Sequence, residues 1–291
     1  MSSSTGPGSG LPVRMPRPRQ SGRHRRPEPV SAPDGAPVLV LAVPGTPSAE
    51  ARSLAEEVVS IARAELPGLH AVVAFTEGEG EEYPALQEVL TEVTAGRVES
   101  PDEPPAVVVP LLAGPDSVQL RGLRQAVLNS GSGAALTEVL GPHPLLAEAV
   151  HVRLSEAGLA RADRARLFTV ATAADGIILV TVGGEEAVQA AGITGMLLSA
   201  RLAVPVLTAG LDTEGSVAAA ARQLLESGSQ QLALAPCLIG PEVPEGLLAA
   251  AAEEAGCAMA EPLGAYPSVG KLVLSAYTGH LGIQPQPASA H

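Results

Sequence analysis

Hydrophobic residues in this chain alternate between short continuous runs and longer segments with helical spacing. The run at 38–42, VLVLA, is apolar and β-branched, which is typical of a parallel strand covered on both faces. Thr46 and Pro47 suit the cap and first position of a following helix. One face of that helix is apolar and consists of Ala51, Leu54, Ala55, Val58, Val59 and Ala62. The pattern predicts a strand, a sharp loop and an amphipathic helix.

The same alternation continues to the end of the chain. Strands are predicted at 38–42, 70–75, 106–112, 135–140, 177–182, 204–209, 231–239 and 257–263. Helices are predicted at 47–62, 83–94, 118–128, 145–157, 186–202, 213–227, 245–255 and 268–278. Strands that alternate with helices indicate an α/β fold with parallel sheets flanked by helices.

Two pairs of segments repeat along the chain. LLAGPD at 111–116 matches CLIGPE at 237–242, and EVLGPHP at 138–144 matches EPLGAYP at 261–267. The offsets, 126 and 123 residues, are nearly equal. This predicts an internal duplication, with two tandem flavodoxin-like units at 37–158 and 176–281 that face each other across a cleft.

Charge divides the chain into a basic tail and an acidic body. Residues 1–36 carry six arginines and two acids, a net of +4, among Ser, Gly and Pro, which predicts disorder. The remainder carries 12 basic and 29 acidic side chains, a net of −17. An acidic body with 2% aromatic residues argues against nucleic-acid binding. The basic tail could contact an acidic partner, although the simpler interpretation is a solvated tail with no specific partner.

The cysteine content and the lengths of the apolar runs indicate the compartment in which the protein is expected. Two cysteines in 291 residues do not make a disulfide scaffold, and no apolar run is long enough to cross a membrane. A cytoplasmic location is therefore expected. Inert thiols are expected for Cys237 and Cys257, which lack a CxxC spacing. The Pro- and Gln-rich segment 282–291 is expected to be a frayed tail.

The paired units and the LGPHP turn at 140–144, echoed by LGAYP at 263–267, resemble the sirohydrochlorin and cobalt chelatases. These class II tetrapyrrole chelatases insert Co²⁺ or Fe²⁺ into a macrocycle in cobalamin and sirohaem synthesis. The resemblance covers about residues 37–280. It implies a tetrapyrrole ligand, a divalent metal as substrate and no organic cofactor.

The sequence departs from the resembled family where the chemistry is expected. The family has one His in the loop after the first strand and another just after the strong third strand. Here those positions hold Val43 and Asp116, and the second half lacks His at the matching turns. Imidazole can both bind such a metal and accept a proton near neutral pH, whereas valine can do neither.

Carboxylates are the remaining candidates for the chemistry. Glu77 follows the second predicted strand, Glu82 heads the next helix and Asp116 holds a family His position. These three are predicted to converge at the strand ends and hold the metal, with Asp116 also at a catalytic position. Alternatively, the acids of 77–82 form a solvated loop and Asp116 caps the next helix. The carboxylates of a tetrapyrrole would need cations, for which Arg52, Arg121 and Arg124 are the candidates in the sequence.

Two further motifs have simpler interpretations. His143, between two prolines, is expected to bond to nearby backbone rather than to a ligand. The turn Val182-Gly183-Gly184 resembles a phosphate cradle, but a dinucleotide fingerprint needs a third glycine at fixed spacing.

Three functions remain open from the sequence. The first is a tetrapyrrole metal chelatase in which carboxylates replace the histidines. The second is a relative that has lost catalysis and binds a tetrapyrrole, a metal or a protein partner. The third is a nucleotide-binding α/β module.

Overall fold

The structure is a computed structural model that describes residues 31–95, 103–160, 173–240, 242–244 and 246–282. Residues 1–30 and 283–291, which make up most of the two predicted tails, lie outside the described part of the chain. Residues 31–36 do not fit the predicted disorder, because the Ala32 N–H donates to the Pro67 carbonyl and ties this segment to the body. None of the described helices is long and apolar enough to span a membrane.

The described residues form two parallel sheets of four strands each. The first contains β1 (Val38–Val43), β2 (Ala71–Phe75), β3 (Ala106–Pro110) and β4 (Ala135–Leu136). The second contains β5 (Gly176–Thr181), β6 (Val206–Gly210), β7 (Leu232–Pro236) and β8 (Ala258–Met259). The strand orders, β2-β1-β3-β4 and β6-β5-β7-β8, are equivalent. This confirms the predicted α/β class with two tandem units.

Helices follow the strands in both halves. The first half contains α1 (Ala49–Glu65), α2 (Leu86–Thr94), α3 (Ser117–Ser130) and α4 (Pro144–Glu156). The second half contains α5 (Gly184–Leu202), α6 (Ser216–Glu226), α7 (Leu247–Ala255) and α8 (Pro267–His280). The repeated segments have equivalent bonds, because the Leu140 N–H donates to the Leu112 carbonyl and the Leu263 N–H to the Leu238 carbonyl.

Several helix starts differ from the prediction by two or three residues, and those of α1 and α2 have clear physical causes. Ser48, not Thr46, caps α1, and its Oγ accepts the Ala51 N–H at 3.1 Å. Helix α2 begins at Leu86 rather than at 83, because the Pro84 carbonyl accepts the Phe75 N–H and keeps this segment beside β2.

The core lies in three layers on the faces of the two sheets. The outer face of the first sheet packs on α2 and α3, and the outer face of the second packs on α6 and α7. Between the sheets, one continuous apolar cluster contains residues of both, such as Leu41 and Leu179. The two halves therefore share one central core.

The last helix of each half packs on the sheet of the other half. Helix α4 contacts β7 of the second sheet, and α8 contacts β3 of the first. The Tyr277 hydroxyl on α8 donates to the Pro37 carbonyl, just before β1, at 2.7 Å and in a buried position. The predicted division into 37–158 and 176–281 thus separates the two sheets but not their helices, which cross over.

Replacing Tyr277 with Phe is expected to destabilise the protein by about 1 kcal/mol, because it removes a buried hydrogen-bond donor across the interface between the halves. The free energy of unfolding from a denaturant titration measures this. Tyr83→Phe, at a half-buried surface tyrosine, is the control. An equal effect of the two substitutions would contradict a specific role for the Tyr277 bond.

Candidate functional site

A cavity of about 410 Å³ lies at the carboxyl ends of the strands, where loops of both halves meet. Val43 ends β1 and Leu111 follows β3, while Val182 follows β5 and Ile239 follows β7. In open α/β sheets this edge is where ligands bind. The cavity is therefore formed jointly by the two halves.

Close contacts between the halves set the width of this cleft. A Cβ added to Gly183 would lie 2.5 Å from the Pro115 carbonyl oxygen, and one added to Gly240 would lie 3.0 Å from a methyl group of Leu54. Gly183 also has a backbone φ of +112°, a conformation that residues with a side chain rarely adopt. Both glycines thus allow a loop of the second half to approach the first.

Three carboxylates line the cavity, and each has one oxygen engaged by the protein. Glu77 Oε2 accepts from the Thr46 hydroxyl at 3.1 Å. Asp116 Oδ1 accepts the N–H groups of residues 118 and 119 at 2.9 and 3.0 Å, and so caps α3. Glu242 Oε1 accepts the Ile239 N–H at 2.7 Å. These bonds fix the carboxylates and leave the other oxygen of each for a ligand.

Glu242 differs chemically from an ordinary surface carboxylate. Burial raises its pKa, N–H groups from Ile239 and Gly240 oppose the rise, and the charge of Asp116 adds to it, with a net pKa of about 7. The carboxyl therefore exchanges a proton near neutral pH, as a general acid or base requires.

Cys237, which directly follows β7, is buried. Burial, and secondarily the charge of Glu242, raise the pKa of its thiol to about 12. A thiol that stays protonated at neutral pH is a poor nucleophile and metal ligand, in agreement with the prediction from sequence.

The predicted set of three metal-binding acids is only partly brought together. Glu77 and Asp116 line the same cavity, whereas Glu82 does not and lies with its Oε1 3.9 Å from Arg52 Nη1. Within the described ranges, no three His, Cys, Asp or Glu side chains are grouped as a metal site. The described residues therefore bring two of the three predicted acids, Glu77 and Asp116, to one cavity.

The three predicted substrate-binding arginines lie away from the cavity lining. Arg52 is bonded to Glu56 at 2.9 Å, which raises the pKa of its guanidinium. Arg121 and Arg124 are exposed on α3. Their assignment to a ligand stays a prediction.

His143 has the structural role expected from the sequence. Its Nδ1 accepts the Leu145 N–H at 3.1 Å and caps α4, and burial lowers its pKa. It does not line the cavity, and no other histidine of the described part of the chain does so. Val43 and Asp116, at the two positions where the resemblance placed imidazoles, both line the cavity, and only Asp116 is a carboxylate.

The N–H groups of the glycine turn after β5 already have a hydrogen-bond acceptor within the protein. The N–H groups of Gly183 and Gly184 both donate to Asp212 Oδ2, at 3.0 and 2.8 Å. A phosphate would have to displace this carboxylate, so the geometry does not support the cradle considered from the sequence.

Glu242 was not selected as a site residue from the sequence. The signal was present in the repeat, where Gly-Pro-Glu at 240–242 matches Gly-Pro-Asp at 114–116. The two acids occupy matching turns after β3 and β7, although Asp116 caps a helix and Glu242 bonds back to its own turn.

Comparisons with known proteins give a fold but no family. No protein-family model matches the chain, and no curated protein does. SirB from Bacillus subtilis, solved with Fe³⁺, superimposes with a TM-score of 0.63 at 14% identity, covering 85% of this chain and 98% of that one. The sirohydrochlorin chelatase SirB from Bacillus subtilis subspecies spizizenii with cobalt gives 0.57 at 13%, covering 83% and 94%.

A third similar structure is CbiX, the terminal enzyme for siroheme biosynthesis in denitrifying bacteria. It superimposes with a TM-score of 0.51 at 19% identity, covering 84% of this chain and 98% of that one. These likenesses span nearly the whole length of the solved proteins. At such low identities they establish that the chain has the chelatase-type fold.

Replacing Glu242 with Gln is expected to change how stability depends on pH. In the folded protein its pKa, about 7, lies above the unfolded value of 4.5. Between these values the folded state binds more protons, so stability falls as pH rises from about 5 to about 7 and then levels off. Over this pH range the raised pKa of Glu242 changes the free energy of unfolding by about 2 kcal/mol. Glu242→Gln should remove this change.

Unfolding free energies of the wild type and Glu242→Gln, measured from about pH 5 to about pH 8, test this expectation. Glu226→Gln, at an exposed position on α6, controls for the loss of one negative charge. Parallel pH profiles for the wild type and Glu242→Gln would contradict the raised pKa.

Proposed function

We propose that this protein binds a tetrapyrrole and a divalent cation in the cleft between its halves, as a chelatase-related protein. The observation that supports this best is the position of the cavity in a chelatase-type fold. It lies at the carboxyl ends of both sheets, with carboxylates contributed by each half. The similar solved structures include a sirohydrochlorin chelatase with cobalt and SirB with Fe³⁺.

Metal insertion makes two chemical demands that the cleft residues can address. An M²⁺ ion replaces two pyrrole N–H protons, so the site must hold the ion and accept protons. Glu77 Oε1 and Asp116 Oδ2 are the oxygens left after the observed hydrogen bonds, and we assign them to the ion. Glu242, with a pKa of about 7, is assigned to proton transfer.

A second candidate is binding without insertion. Val43 lines the cavity where the resembled family has an imidazole, and Asp116 is committed to capping α3. Carboxylate oxygens hold Co²⁺ or Fe²⁺ less tightly than imidazole does. Under this candidate the cleft keeps its ligand and has lost turnover.

Incubation with sirohydrochlorin and Co²⁺, followed by the absorbance of the macrocycle, tests the proposal. We expect insertion above the uncatalysed rate, slowed at least about tenfold in Glu242→Gln because proton transfer is lost. Glu226→Gln should leave the rate unchanged. Binding of the macrocycle without acceleration would favour the second candidate, and no binding would overturn the proposal.

The second candidate makes its own prediction. The double substitution Val43→His and Asp116→His places imidazoles in the cleft, and it should create or increase Co²⁺ insertion if the cleft is intact. Val43→Ala with Asp116→Asn is the control, since it changes the same positions without adding a metal ligand. An inactive imidazole variant that still folds and binds the macrocycle would contradict this candidate.

A further inference from the structure

A second cavity, of about 420 Å³, lies directly beside the cleft cavity. The two share lining residues from α1 and from the segment after β7. The shared residues are Leu54, Ile239, Gly240, Val243 and Pro244. A ligand too large for the first cavity therefore has a neighbouring space to enter.

Arg153 is the basic residue that lines this second cavity. It lies on α4, the helix that crosses to the other half, and its guanidinium carbon is 4.5 Å from the centre of the Tyr266 ring. Its Nη1 lies 3.3 Å from Glu156 on the solvent side. Stacking and the ion pair hold the planar group in place without using all five of its donors.

One N–H group of the Arg153 guanidinium has no hydrogen-bond acceptor among the described residues. Its Nε is buried and lacks a hydrogen-bond partner among the described residues. A buried donor without a partner costs free energy, so the protein alone does not provide the best hydrogen bonding for this side chain. The side chain is 26% exposed, so a ligand in the cavity can contact its accessible part, which does not include the buried Nε.

Gly264 provides the space for this arrangement. A Cβ at this position would lie 2.5 Å from Arg153 Nη2, and the residue has a φ of +68°. Gly264 belongs to the LGAYP turn, which repeats the LGPHP turn of the first half. The turn thus presents the Tyr266 ring and admits the arginine that stacks on it.

The rest of the cavity is mostly apolar. Its lining includes Leu248, Met259 and Pro262, with Glu261 as the acid. Glu261 is exposed, so solvent weakens its repulsion of an anion. A guanidinium beside an apolar surface fits a carboxylate carried on a hydrophobic body, because arginine can bind both carboxylate oxygens.

We infer that Arg153 binds a peripheral carboxylate of the macrocycle while its core lies in the cleft cavity. This rests on the proposed function and identifies a cation for the ligand that the sequence did not suggest. Arg52, Arg121 and Arg124 do not line either cavity, whereas Arg153 does.

The test compares binding of free-acid sirohydrochlorin with binding of its methyl ester, without metal, by absorbance titration. Arg153→Met should weaken binding of the acid about tenfold and leave binding of the ester unchanged, because a charge-assisted hydrogen bond is lost. Arg153→Lys, which keeps the charge but loses the planar fork, should be intermediate. Arg222→Met, at an exposed position on α6, is the control.

The ratio of acid to ester affinity is measured on the same protein, so a loss of folded protein cancels from it. If the ratio in Arg153→Met equals the ratio in the Arg222→Met control, this inference alone is overturned. If the Met variant does not fold, the same comparison is made with Arg153→Lys. Failure of the wild type to bind either form would overturn the proposed function as well.

Discussion

The exchange of helices between the two halves is the constraint on which the cleft depends. Helix α8 packs on β3 of the first sheet and α4 packs on β7 of the second, and the central apolar cluster joins both. Separating the halves would expose this cluster to water, which is strongly unfavourable for so much apolar surface. The loops at the strand ends are therefore held at a fixed distance.

The fixed distance between these loops determines which residues of the two halves interact in the cleft. Gly183 meets Pro115 on one side of the cleft, and Gly240 meets Leu54 on the other. Asp116 and Glu242 are brought close enough for one charge to raise the pKa of the other. A carboxyl with a pKa near neutrality arises here mainly because Glu242 is buried, and the charge of Asp116 from the other half adds to the rise.

The sequence predicted most of the architecture because its signals are local. Apolar runs and helical spacing identified the strands and helices, and the repeated turns identified the two units. The cap of α1 was misplaced because Thr46 and Ser48 are both good capping residues, and only the fold directs Thr46 to Glu77. The crossing of α4 and α8 was not predicted, since periodicity does not say which sheet a helix covers.

The site was less predictable because it depends on long-range contacts. Glu77 and Asp116 were selected for their positions after strands, and they share a cavity. Glu82 was selected because it was predicted at the start of the next helix, but it lies beside Arg52. Arg153 sits within a helix without a motif, and its importance comes from Tyr266 and Gly264, which are more than a hundred residues away.

The central claim is that the two halves form a single ligand site between them. Calorimetric titration of the full chain with sirohydrochlorin measures the number of macrocycles bound per chain. A shared cleft predicts one macrocycle per chain. Two per chain would mean that each half binds separately, and would contradict the account.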